Sequence, residues 1–231
     1  MMSRLVRGLM LVSALLLVGC SEPDPPTVNL HRAVQIGDLD QIKRHIYWET
    51  DLNQPNADGD LPLHVAARAG RVAIARELAS NGADLRAVNA EGHTPLRVAL
   101  AHGRTQVGMM LVDLGAPLDA QSMLFDLVGT GLIDRDALRF LISEGAQINQ
   151  PDAAGNSPLH VAIRNGHLDT VQRLIVAGAD VNQPDPSGRL PLRIARETAP
   201  GRDARFIVST LERSGALADA SHSPPRSGAA E

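Results

Sequence analysis

The chain has 231 residues, enough to bury a sizeable core, yet only three Phe, one Tyr and one Trp, so that core has to be built from Leu, Val, Ile and Ala. Scarce aromatics leave little to line a deep pocket for a small ligand, and a formal charge of −4 makes nucleic acid a poor partner. The single cysteine, Cys20, excludes an internal disulfide.

Residues 1–19 read as a leader, with Arg4 and Arg7, an apolar run from Gly8, and small residues ahead of Cys20. The run is shorter than the ~20 apolar residues that a membrane-spanning helix needs. Without Arg4 and Arg7 the balance is 20 basic against 26 acidic residues, a charge near −6. Leu17-Val18-Gly19-Cys20 resembles the lipobox of bacterial lipoproteins. That resemblance implies cleavage after Gly19 and lipid on the thiol and new amino group of Cys20. With Ser21 rather than Asp in the next position, it implies the periplasmic face of the outer membrane. Ser21 to Pro26 is Pro-rich, so residues 20–28 are expected to form a stiff, extended linker reaching about 25 Å at ~3.1 Å per residue.

From Asn29 onward the sequence repeats with a step of 33 residues: Pro62 to Pro95, Pro158 to Pro191, Gly37 to Gly70 to Gly103, and Gly145 to Gly178. Each unit predicts two short helices. In the most regular copy, Ala154 to Asn182, Ser157 caps a first helix that holds Pro158 in its first turn, and Asn165-Gly166 ends it. Leu168, Val171, Leu174 and Ile175 then form the inward stripe of a second helix that Gly178 closes. A fixed step of this length means a stack in which neighbours cover one another.

Pro62-Leu63-His64-Val65-Ala66-Ala67, Ser157-Pro158-Leu159-His160-Val161-Ala162 and Gly178-Ala179-Asp180-Val181-Asn182 resemble the ankyrin repeat. The resemblance implies an all-α solenoid of about six helix-turn-helix repeats with short β-turn fingers, spanning residues 29–218. Residues 219–231, rich in Ser, Pro, Gly and Ala, are expected to form a disordered tail.

The first repeat lacks the Pro that opens its siblings, and its second helix turns Leu39, Ile42 and Ile46 inward. Tyr47 and Trp48 follow: two adjacent aromatics that suit either a partner hot spot or a cover for the end of the core. Repeats two and three keep the pattern, except that Arg97 replaces the His. In the family that His bonds to neighbouring backbone, which implies that His31, His64 and His160 are structural. The fourth repeat departs, because Gly103 to Gly131 is 28 residues rather than 33. The five missing residues fall between Ala120 and Leu124, where the finger belongs. Gly129, Thr130 and Gly131 weaken the first helix there and predict a bend or soft joint. The sixth repeat carries an insertion around Glu197 to Arg202, then a closing helix with Phe206, Ile207 and Leu211 inward.

The sequence holds no Gly-rich phosphate loop, paired-cysteine spacing or recognisable nucleophile turn, which predicts a non-catalytic protein with no cofactor, metal or small-molecule substrate. The family resemblance implies instead a protein partner, met by finger tips and the exposed side of the first helices. The matching positions are Asp58, Asp60 and Arg68 in repeat two, and Glu91, His93 and His102 in repeat three. Repeat five offers Asn156, Arg164 and Asn165, and repeat six Arg189 and Arg196. The three arginines of these last two repeats are expected to form an exposed basic side for an acidic partner, removable with little effect on stability. Charge is uneven along the chain: eight acidic against three basic residues from Glu22 to Pro62, and six basic against three acidic from Arg189 to Arg213. The expected function is a lipid-anchored periplasmic binding protein that supports an envelope enzyme or neutralises a toxin. An envelope scaffold is the rival, and a host-directed effector is disfavoured by the lipobox.

Overall fold

The computed structural model describes residues 22–198 and 203–218. The leader, Cys20, the Pro200-Gly201 insertion and the tail lie outside the described residues. Among the described residues, twelve helices fall into six pairs: α1 (Leu30–Ile36) and α2 (Leu39–Tyr47), α3 (Pro62–Ala69) and α4 (Val72–Ser80), α5 (Pro95–Ala101) and α6 (Thr105–Asp113), α7 (Ala120–Thr130) and α8 (Arg135–Ser143), α9 (Pro158–Arg164) and α10 (Leu168–Val176), α11 (Pro191–Thr198) and α12 (Ala204–Arg213). No strand occurs among the described residues. First helices pack on first helices and second on second, giving two layers with one continuous aliphatic core between them.

The local reasons repeat with the units. Pro62, Pro95, Pro158 and Pro191 sit at the first helical position, where a missing amide costs nothing. Caps come from Asn29, Thr94, Asp119 and Ser157, each accepting the amide three residues on. Leu63, Leu96, Leu159 and Leu192 point into the core at 1 to 2 % exposure. Val171, Leu174 and Ile42 are fully buried, while Leu168, Ile175, Leu39 and Ile46 are partly covered at the edges of their stripes. One inward assignment fails. Phe206 is 48 % exposed under the Arg205 guanidinium, because Ile207 and Leu211, one turn apart, own the inward stripe and Phe206 lies off it. Glu197 belongs to α11 rather than to an inserted loop.

The repeats are tied by the histidines. His31 donates from Nε2 to the Gln54 carbonyl at 2.9 Å, His64 to that of His93 at 2.8 Å, and His160 to that of Gln183 at 2.9 Å. His160 also accepts the Ser157 amide at Nδ1, so its helix cap and its inter-repeat bond share one ring. Asparagines add a second clamp: Asn53, Asn149 and Asn182 each bond an amide and a carbonyl of the following repeat.

Repeat four breaks the regularity in a defined way. Residues 114–119 join α6 to α7 where residues 81–94 join α4 to α5, and no finger projects. The two glycines do not shorten the first helix. With 11 residues, α7 is longer than its siblings; it runs through Gly129 and ends at Gly131 with φ 73°. The joint appears instead in the packing. Close approach between first helices holds from α1 to α3 to α5 and from α7 to α9 to α11, but α5 and α7 meet only weakly. Among second helices the weak contact is α8 with α10, where a groove of about 800 Å³ opens. Arg97 explains itself here. With the next finger gone, a His would have no carbonyl to reach, whereas the longer arginine crosses to Asp126 on α7, Nε to Oδ2 at 2.6 Å and Nη2 to Oδ1 at 3.2 Å. Restoring the common residue therefore harms this repeat: Arg97→His should lower unfolding free energy by roughly 1 to 2 kcal/mol, measured by denaturant melting, since the ion pair is lost and no carbonyl replaces it. Unchanged stability would show that the joint does not depend on this bridge.

Candidate functional site

The fingers stand between the helix pairs and share one construction. A side-chain oxygen takes two backbone amides, two and four residues on. Asn56 Oδ1 accepts from Asp58 and Asp60 at 3.0 and 2.9 Å, and Asn89 Oδ1 from Glu91 and His93 at 3.1 and 3.0 Å. Asp152 Oδ1 accepts from Ala154 and Asn156 at 2.9 and 2.8 Å, and Asp185 Oδ1 from Ser187 and Arg189, both at 2.9 Å. Local capture of this kind gives a loop its hydrogen bonds without a strand partner. Glycine is required in the turn that follows: Gly59 has φ 78°, and a Cβ there would meet the Ala90 methyl at 2.4 Å.

Arginines from the first helices bind these fingers together. Arg68 forms an ion pair with Asp60, whose Oδ1 also accepts from Asn89 of the next finger at 2.8 Å. Arg164 does the same with the partners exchanged: Nη1 reaches Asn156 at 2.5 Å and Nη2 reaches Asp185 of the next finger at 2.8 Å. Arg189 adds two contacts to the same Asp185 oxygen, Nε at 3.0 Å and Nη2 at 2.8 Å. In the first group Arg68 and Asn89 both bond the Asp60 carboxylate, whereas in the second Arg164 and Arg189 share Asp185 and Arg164 alone reaches Asn156. Aspartate stands in the earlier finger for repeats two and three, and in the later finger for repeats five and six.

Burial works against the charge of Asp60, but hydrogen bonds from Arg68 and Asn89 and the Arg68 charge outweigh it and hold the carboxyl below its ordinary range. The side chain of Asp185 is fully buried; burial again opposes ionisation, and the Arg189 and Ser187 amides with the Arg189 guanidinium overcome it. His64 and His160 are pushed down, burial outweighing the carbonyls that they bond, so both stay neutral near pH 7.

This geometry redistributes the expected contact residues. Asp60 is only 4 % exposed and belongs to the bridge, not to a contact surface. Arg68, Asn156, Arg164 and Arg189 are committed to the same bridges. Asn165 donates to the Gly129 carbonyl at 2.8 Å, locking α9 against α7, and Arg196 pairs with Glu212 on α12 at 2.7 Å. The three arginines are therefore not a free basic side, and removing Arg164 and Arg189 would strand a buried carboxylate. Asp58 and Glu91 remain exposed at the tips, with His93 beside Glu91 at 3.0 Å, while His102 is exposed at the end of α5. The bridges had a sequence signal that was missed: the Asn or Asp at 56, 89, 152 and 185 recurs in each finger, two residues before its tip.

The exchanged bridges make a mutational cycle. Asp60→Asn leaves Arg68 without a carboxylate, and Asn89→Asp gives it two. Together they place amide and carboxylate in the order found around Arg164, with His93 where Arg189 stands, so the double variant should be more stable than the two single losses imply, by about 0.5 to 3 kcal/mol of coupling in urea melts. Strict additivity would dissolve the bridge as a unit.

The pH response follows from the same groups. His64 and His160 bind fewer protons folded than unfolded, so stability falls as pH drops below the ordinary histidine value, about 6.5. Asp60 and Asp185 contribute fully above the ordinary aspartate value, about 3.9, and lose that contribution as pH falls toward their lower folded values. Melting temperature should be level above pH 7, decline below about 6.5 and fall again below about 4. A histidine-to-glutamine change at both sites should flatten the first step; an undiminished decline would place its origin elsewhere.

Family profiles described as "Ankyrin repeats (3 copies)" and "Ankyrin repeats (many copies)" match residues 30–122 and 141–195. The stretch between them contains most of α7, in the repeat without a finger. Among curated proteins, a mouse 60 kDa lysophospholipase is 50 % identical over 145 residues, 60 % of this chain and 25 % of that protein. The chain thus spans about a quarter of the length of that relative. Among solved structures, the ankyrin repeat domain of Bcl-3, a member of the IkappaB protein family, aligns with TM-score 0.59 and 30 % identity over 84 % of this chain and 89 % of that one. A structure of the Bd0816 predatory endopeptidase from Bdellovibrio bacteriovorus in complex with immunity protein Bd3460 shares the fold, with TM-score 0.56 and 24 % identity over 78 % and 96 % of the two chains. With matched repeats over more than half its length and the stacked helix pairs described above, the chain belongs to the ankyrin-repeat family.

Proposed function

We propose that this is a non-catalytic, lipid-anchored periplasmic protein that captures one partner protein along its finger edge. The anchoring part rests on the leader and the lipobox-like Leu17-Val18-Gly19-Cys20. The capture part rests chiefly on one observation: the bridges hold successive fingers rigid from within while leaving their tips, Asp58 and Glu91, unburied. A rigid edge loses little conformational freedom on binding, which favours affinity from few contacts. With Arg68 consumed inside, the tips Asp58 and Glu91 offer negative charge, and the complementary partner carries a basic patch there. Capture in this form serves an accessory factor and a toxin-neutralising protein equally; the captured partner's identity decides between them.

The test uses membrane-derived full-length protein. Cys20→Ala should leave the leader uncleaved at Gly19 and abolish lipid attachment read by mass spectrometry; processing and membrane retention after a salt wash would remove the anchor from this reading. With the partner captured from envelope extracts in hand, Asp58→Ala with Glu91→Ala should slow association and weaken its salt dependence while shifting stability by less than about 0.5 kcal/mol. An unchanged association rate at low salt would place binding away from these tips.

A further inference from the structure

The first repeat has features that its siblings lack. Position 47 is Tyr where later repeats have Ser80, Asp113, Ser143 and Val176, and position 48 is Trp where they have Asn81, Leu114, Glu144 and Ala177. The two rings form an edge-to-face pair with centroids 5.8 Å apart and stay 50 % and 44 % exposed at the end of α2, so they do not cover the core. The next residue is Glu49, with φ 52°, where the others have Gly82, Gly115, Gly145 and Gly178. A non-glycine residue in this left-handed conformation is strained, and the Glu49 and Thr50 amides, bonded to Ile46 and His45 carbonyls, hold the corner.

The entering chain is fixed to the same corner. The Trp48 indole donates to the Pro23 carbonyl at 3.2 Å, the Thr27 amide donates to Gln41 on α2 at 2.8 Å, and His45 donates to the Val28 carbonyl at 2.7 Å. The segment from Pro23 is therefore laid against α2 and does not extend freely, which replaces the expected reach of about 25 Å. Only Ser21 and Glu22 separate Cys20 from Pro23, so an anchor at Cys20 lies within about 10 Å of Pro23, the residue that Trp48 bonds, at the ~3.3–3.6 Å that an extended residue spans. Pro23, Asp40, Lys43, Arg44 and Tyr47 line a shallow hollow of about 420 Å³ beside the pair.

Building on the anchoring reading above, we propose that Tyr47 and Trp48 are a membrane-contact surface that seats the first repeat on the headgroup layer of the bilayer. Amphipathic rings with a polar tip favour that layer. The hollow sets Lys43 and Arg44 beside Asp40, with Asp24 at 4.0 Å from Arg44, a mixture of signs that matches the phosphate and ammonium of a zwitterionic headgroup, and Glu49 and Asp51, which follow in the chain, disfavour an anionic one. The stack is thus seated by a second, non-covalent contact.

Trp48 is the chain's one tryptophan, so its emission reads this corner alone. The full-length lipidated protein is reconstituted in vesicles of phosphatidylethanolamine and phosphatidylcholine, with or without lipids brominated near the glycerol end of the chains. The expected result is flotation with the vesicles, a blue shift, loss of emission with the brominated lipid, and reduced quenching by aqueous acrylamide. Replacing part of the phosphatidylcholine by phosphatidylglycerol should not increase that loss. Flotation with emission indifferent to bromine and fully open to acrylamide overturns the contact surface and leaves the anchor standing. Failure to float overturns both.

Discussion

A finger projecting from a stack of short helices carries backbone amides that no helix or strand can satisfy, and the fold is arranged around meeting that need. One oxygen of Asn56, Asn89, Asp152 or Asp185 satisfies two amides locally, which sets the shape of the turn. Once the turn is set, its carbonyls face the neighbouring repeat, and His64 and His160 become the donors that tie repeat to repeat. Neither helix pair nor finger is stable alone; each is completed by the next, as expected for a quasi-one-dimensional architecture.

Loss of one finger shows how far that dependence extends. In repeat four the missing turn removes both the carbonyl that a histidine needs and the filling between α5 and α7. The chain responds with Arg97 and Asp126 across the gap and with Gln121, whose amide bonds both ways to the Gln147 backbone. These longer side chains span a wider separation at greater entropic cost. Residues before the joint and after it thus form two well-tied blocks connected by a weaker seam, with the second-layer opening displaced one repeat further on.

The period of 33 residues made the architecture legible, because proline at the first helical position and glycine past the helix end are set by backbone geometry alone. Positions of surface charge were less legible. The sequence places Asp60 and Arg68 on the finger and first helix but does not show that they face each other eight residues apart, with Asn89 closing the group from the next repeat. Phe206 misled for a related reason: one step along a helix turns a side chain by about 100°, enough to carry a large apolar residue from core to solvent. The linker's free outward reach is what the structure changes, because proline stiffness says how a free chain behaves, whereas Trp48, Gln41 and His45 provide it with partners.

Internal pairing also changes what the uneven charge means. Arginines between Arg189 and Arg213 are partly paired: Arg189 with Asp185 and Glu197, Arg193 with Glu197, and Arg196 with Glu212. Pairing with Glu197 and Glu212 leaves the basic excess of the segment unchanged, since both belong to it, and only Asp185 lowers it from outside. At the opposite end Asp51, Asp58, Asp84 and Glu91 are exposed, Glu91 beside a histidine, and so are Arg71, Arg76, Arg86 and Arg104. Acidic tips and exposed arginines thus alternate over the first three repeats, and the sign that a partner meets is set locally, finger by finger.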